Sequence, residues 1–126
     1  MKGTAIVCFT INQRIKNKGK GEKDMVKVTK DNFNDEVMKA RVPVLIDFYA
    51  DWCGPCRILS PTLEELDKER EDIKVCKVNV DNDPELAAAF EISVIPTLVA
   101  MKDGGVIGKT TGVIGKRSIL GLLKID

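Results

Sequence analysis

Residues 25–126 predict an α/β domain with a central mixed sheet flanked by helices. Three observations carry that prediction. Residues 43–50 (PVLIDFYA) are almost all apolar, the pattern of a strand buried on both faces rather than alternating with solvent. Segments with the helical period alternate with β-prone segments along the chain. An Asp103-Gly104 pair late in the sequence sits between two β-prone runs, where it signals a hairpin and therefore an antiparallel edge.

In order, residues 26–29 read as a short strand. Phe33, Val37 and Ala40 stand at helical spacing, so residues 31–41 read as a helix. The buried strand 43–50 follows. Residues 53–70 carry Leu59, Leu63 and Leu66 on one stripe, with Pro61 inside, where it removes a backbone donor and is expected to kink the helix. Residues 73–80 are β-prone. Asp83-Pro84 marks a helix start, a capping carboxylate followed by a first-turn proline, and Leu86 and Phe90 supply that helix's apolar face. Strands at 97–101 and 106–111 flank the turn, and residues 115–125 form a last helix weakened by Gly121. The order is β-α-β-α-β-α-β-β-α. Strands joined through helices imply right-handed crossovers and a parallel core.

The chain of 126 residues is 44% hydrophobic and 31% charged, the balance of a soluble globular protein of about one domain. No uncharged stretch is long enough to span a bilayer as a helix. Histidine is absent, which excludes imidazole acid–base chemistry and any His-containing metal site. The net charge of +1 gives no global attraction to nucleic acid. The charge is uneven, however. Residues 1–24 hold six basic and two acidic side chains, +4, and residues 25–126 hold fourteen and seventeen, −3. Residues 16–21 read KNKGKG, a basic linker, so residues 1–24 are expected to be a flexible extension preceding the folded domain. The apolar run at 3–11 has the opening of a secretory signal, but no small-x-small cleavage site follows. Its β-prone part, 4–10, leaves an extra edge strand open; a mobile tail is the expectation.

Four cysteines, Cys8, Cys53, Cys56 and Cys76, hold the chemistry. Only one CxxC pair exists and no histidine completes a set, so no metal site is expected. A domain of this length builds its own core and does not need disulfide staples. Cys53-Gly54-Pro55-Cys56 follows a buried strand and opens a helix. Residues i and i+3 there share a face, so the two sulfurs can reach bonding distance. Pro55 costs nothing in a first turn, and the free amides and helix dipole favour a thiolate at Cys53. Cys53 is expected to be the exposed nucleophile and Cys56, a turn deeper, the resolving thiol. A permanent staple is the bland alternative, but so short a loop restrains little chain entropy. Asp47 interrupts the buried strand. It is either a buried carboxyl with a raised pKa or an acid at a sheet edge reaching water. Trp52 is either core or contact surface. Cys76, mid-strand, reads as an inert hydrophobe.

The segment Tyr49-Ala50-Asp51-Trp52-Cys53-Gly54-Pro55-Cys56 resembles the active-site segment of the thioredoxin family. The likeness extends to residues 43–48, Pro61, residues 78–81 (VNVD), Ile95-Pro96-Thr97, Lys102-Asp103-Gly104 and Gly112. It implies a thioredoxin fold and a protein-disulfide reductase working through the Cys53/Cys56 dithiol and a mixed disulfide, with no bound cofactor. A disulfide oxidase or isomerase of the same fold is the alternative, as is a redox-structural binding subunit that uses the surface near Trp52 without turnover. It also implies that Asp47 accepts the Cys56 proton with Lys77 beside it, that Pro96 is a cis-proline facing the dithiol, and that Trp52, Gly54, Pro55, Val94, Ile95 and Gly112 form the substrate-binding surface. The implied partners are disulfide-containing proteins and a thioredoxin reductase, with no nucleic acid and no membrane. The protein is expected to be a cytoplasmic monomer.

Overall fold

The structure is a computed structural model and describes residues 25–125. Five strands, β1 (Val26–Lys27), β2 (Val44–Tyr49), β3 (Lys74–Asn79), β4 (Thr97–Lys102) and β5 (Gly105–Thr111), form one sheet in the order β1-β3-β2-β4-β5. β1 and β2 run parallel to β3, whereas β4 is antiparallel to both β2 and β5. The helices are α1 (Gly54–Glu69), α2 (Pro84–Ala89) and α3 (Lys116–Leu122).

The parallel core and antiparallel edge match the expectation. β2, the central strand, is buried from Val44 to Phe48, which is why it carries no polar alternation. Asp103 (φ 53°) and Gly104 (φ 81°) both adopt the left-handed conformation that a tight two-residue hairpin turn needs. The Asp83 carboxylate caps α2 by accepting the Leu86 amide at 3.3 Å. α1 contains Pro61 and runs on unbroken to Glu69.

The first helix is the exception. In place of 31–41 there is a single wide turn, Asn34–Met38, in which the Lys39 N–H reaches the Asn34 carbonyl five residues back at 3.0 Å. The preceding polar side chains explain it. Asn32 Oδ1 accepts the Thr29 amide at 2.7 Å and Thr29 Oγ1 accepts the Asp31 amide at 3.2 Å, so local turns compete with a regular helix. The same turn ends β1 at Lys27. Val37 still reaches the core, so the apolar spacing was sound although the element is short.

Alternation along the strands divides the core into two layers. Leu45, Val75, Leu98 and Ala100 face α1 and α3, together with Leu59, Leu63, Leu66 and Ile119. Val44, Ile46, Phe48, Cys76, Val78 and Val99 face α2 and the Val37 turn on the other side. α3 packs closely on β5: a Cβ on Gly108 would lie 2.6 Å from Leu122 Cδ1, so only a hydrogen fits there. Two residues on from Leu45 and Val75, Asp47 and Lys77 take the α1 side of the sheet. They are register partners across β2 and β3. Leu98 is the register partner of Asp47 on β4. The fold therefore puts an acid and a base on the layer that the active-site helix covers.

Candidate active site

Cys53 is the N-cap of α1. Its backbone is extended (φ −88°, ψ 114°), its N–H donates to the Ala50 carbonyl at 3.2 Å, and its Sγ accepts the Cys56 amide at 3.2 Å. That amide is one of the first-turn donors a helix cannot satisfy internally, and Pro55 has no N–H to satisfy. Cys56 lies inside the helix, its Cα 5.3 Å from that of Cys53, and the two are joined as a disulfide. The helix start thus spends a free donor on sulfur, an arrangement that also stabilises a thiolate.

One expectation is corrected. Cys53 is not the more exposed cysteine: both residues are 4% exposed. In the oxidised pair Tyr49, Val80 and Ile95 pack around the two residues. What distinguishes the two is position: Cys53 caps α1, and Cys56 borders the cavity that Asp47 lines.

Asp47 is 3% exposed and its Oδ1 has no hydrogen-bond partner. Its place on the central strand excludes a sheet edge reaching water. Burial raises its pKa from the ordinary 3.8 to about 7, with the Lys77 charge opposing the rise. A cavity of about 220 Å³ brings Asp47, Cys56 and Lys77 together, with Tyr49, Arg57 and Ser60 among its walls. The structure thus joins the acid to Cys56 through a small space.

The Ile95–Pro96 peptide is cis, and Pro96 is buried. Its carbonyl accepts the Gly112 amide at 2.9 Å, and the Thr97 hydroxyl donates to the Val94 carbonyl at 2.7 Å, fastening the loop at both ends. Gly112 has φ 89°, a conformation glycine adopts without strain. Trp52 is 69% exposed, which settles it as surface, and it lines a shallow apolar groove of about 410 Å³ with Val80, Ile92, Ser93, Val94 and Ile95. Gly112 does not line this groove; it is tied to the loop through its bond to the Pro96 carbonyl. Gly54 and Pro55 are exposed at the helix start between the cysteines.

Two contributors, Asp81 and Tyr49, stand in the quoted motifs but carry no site role at the level of sequence. Asp81 Oδ2 accepts the Trp52 indole N–H at 2.8 Å, fixing an otherwise free ring, and no local spacing links residues so far apart. Tyr49 lines the Asp47 cavity; it stands two residues after Asp47 on one strand, and that alternation could have found it. Cys76 is buried on the opposite layer and its thiol is pushed up to about 12 by burial, as fits an inert hydrophobe. Cys8 and the possible strand at 4–10 lie outside the described residues.

A dithiol or disulfide at a helix start, a buried acid on the adjoining cavity and an apolar groove alongside define a thiol–disulfide oxidoreductase. The thioredoxin family model matches residues 24–124. The chain is 44% identical to the thioredoxin of Mycobacterium bovis over 96 residues, 75% of this chain and 83% of that protein. It is 42% identical to the thioredoxin of Rickettsia bellii over 74% and 90% of the respective chains. With thioredoxin 1 of Synechococcus elongatus it shares 40% identity over 76% and 91%. The chain belongs to the thioredoxin family, and its activity is that of a protein-disulfide reductase.

Proposed function

We propose that the reduced Cys53/Cys56 pair delivers two electrons to disulfides of other proteins by the following route. The Cys53 thiolate attacks one substrate sulfur, forming a mixed disulfide and releasing the other substrate sulfur as a thiolate, which takes a proton from water. Cys56 gives its proton to Asp47 and attacks the Cys53 sulfur. The Cys53–Cys56 disulfide forms, and the second substrate sulfur leaves as a thiolate that takes a proton from water, while Asp47 later gives up the one it received. The observation that carries this reading is the shared cavity: the acid near pKa 7 borders the cysteine that must lose its proton, not the one at the helix cap. Lys77 moderates the acid, and the Pro96 loop with Trp52, Gly54, Pro55, Val94 and Ile95 receives an extended substrate segment. Gly112 holds that loop in place.

A thioredoxin reductase would return the electrons, with no bound cofactor on this chain. Cysteines, acid and groove all come from one chain, which supports a monomer. A reductant of this kind suits a reducing compartment such as the cytoplasm. Among the described residues no helix is long and apolar enough to cross a membrane, and the near-neutral charge gives no attraction to nucleic acid. Residues 25–126 are taken as the working unit and 1–24 as a basic extension, a division supported by the family match beginning at residue 24.

The test is catalysis. Substoichiometric oxidised protein, supplied with a thioredoxin reductase and its electron donor, should release many equivalents of thiol from a disulfide-bonded protein. Release that never exceeds two thiols per chain, the yield of one disulfide, would mark a binding subunit without turnover.

A further inference from the structure

Lys77 is the one cation paired in register with the buried acid, yet its ammonium is not seated on it. Among the described residues no ion pair joins Lys77 to Asp47, and Asp47 Oδ1 is without a partner. The Lys77 Nζ lies instead over the Tyr49 ring, 5.6 Å from its centroid. Tyr49 follows Asp47 by two residues on β2, so ring and carboxyl share a face of the sheet and a wall of the same cavity. The ring is half-buried, and Tyr49 is the register partner of Asn79 on β3.

We propose that Tyr49 is a positioning residue for Lys77: its ring draws the ammonium off the Asp47 carboxyl by a cation–π contact and thereby keeps the two from closing into an ion pair. The inference deepens the reading of Asp47 as proton acceptor and rests on it for its catalytic consequence. An ammonium placed directly on the carboxylate would favour the charged form and leave Asp47 a poor base at pH 7. One held on an aromatic face acts only through space. The other groups facing Asp47 do not take over this role. Arg57 is engaged on the Asp51 carbonyl at 2.8 Å, Asp51 carries the wrong sign, Cys56 belongs to the dithiol and β4 presents Leu98.

The experiment follows the Asp47 carboxyl carbon by NMR titration in the oxidised protein, for wild type, Tyr49→Leu and Tyr49→Phe, each with Lys77 and with Lys77→Met. Without the ring the ammonium falls onto the free carboxyl oxygen, so Tyr49→Leu should lower the Asp47 pKa by about half a unit or more. Tyr49→Phe, which keeps the ring, should titrate close to wild type. In the Lys77→Met background the difference between tyrosine and leucine should vanish. An unchanged or raised pKa in Tyr49→Leu overturns the proposal. So does an equal fall in the Lys77→Met background, which would mean the ring acts by excluding water. The pH profile of the resolving step is read on the same proteins. If the titration moves as expected and that profile does not follow, the placement of Lys77 by Tyr49 stands and the acceptor role of Asp47 fails.

Discussion

Cys53→Ser is expected to abolish protein-disulfide reduction, whereas Cys56→Ser should still attack substrate and accumulate a stable mixed disulfide. The asymmetry comes from the helix start. Cys53 is the residue whose sulfur already accepts a free first-turn amide, and it sits at the positive end of α1, so its thiolate is the better stabilised of the two. Cys56 is one turn inside, bordering the Asp47 cavity, and acts only once a neighbouring sulfur can be displaced. Equal burial of the two residues in the oxidised form means that this prediction cannot lean on exposure; it depends on electrostatics and position. Mass spectrometry of each variant after incubation with a disulfide-bonded protein reads the result directly. Adducts on Cys53→Ser and none on Cys56→Ser would reverse the roles.

Asp47→Asn should stabilise the protein above neutral pH and slow the release of reduced substrate. Folding raises the pKa of this carboxyl from 3.8 to about 7, so the folded state holds the proton more tightly than the unfolded chain. Below about pH 4 both states are neutral and the contribution to stability is fully present. Between 4 and 7 the unfolded chain ionises first, and above the folded pKa the loss is complete. A gap of about three units corresponds to a loss on the order of 4 kcal/mol. Asparagine removes the titration but brings amide hydrogens into an unpaired site, which returns about 1–3 kcal/mol of that. The net expectation is a gain of about 1–3 kcal/mol at pH 8 that turns into a loss of about 1–3 kcal/mol towards pH 4, where only the cost of the amide remains. Denaturant unfolding from pH 4 to 9, with single-turnover measurement of the resolving step, checks both halves. A variant that is less stable at pH 8 and resolves at the wild-type rate would make Asp47 a structural group and no proton acceptor.

The fold was legible because its strongest signals are local. The unbroken apolar run of β2, the Asp83-Pro84 cap of α2 and the Asp103-Gly104 turn each specify their element through neighbours in sequence. The element around Val37 was over-read because apolar period says which residues face the core, not whether Asn and Thr side chains will capture the backbone first. In the site, the cysteine pair and the buried acid stood out as a motif and as a charge in an apolar strand. The equal burial of the cysteines did not, since it arises when residues from three segments close over the bond. The Trp52–Asp81 contact and the seat of Lys77 on Tyr49 depend on how side chains meet across strands and loops, which spacing alone does not encode.

The reduction potential of the Cys53–Cys56 couple, measured by equilibration with a thiol–disulfide buffer, tests the central claim most directly. A protein-disulfide reductase requires a couple towards the reducing end; about −270 mV is the thioredoxin value, carried over from the family and not obtained from this geometry. A potential in that region is the expected result. One close to the roughly −120 mV of strong disulfide oxidants would mean that the chain donates disulfides instead of removing them, and would contradict the reductase account.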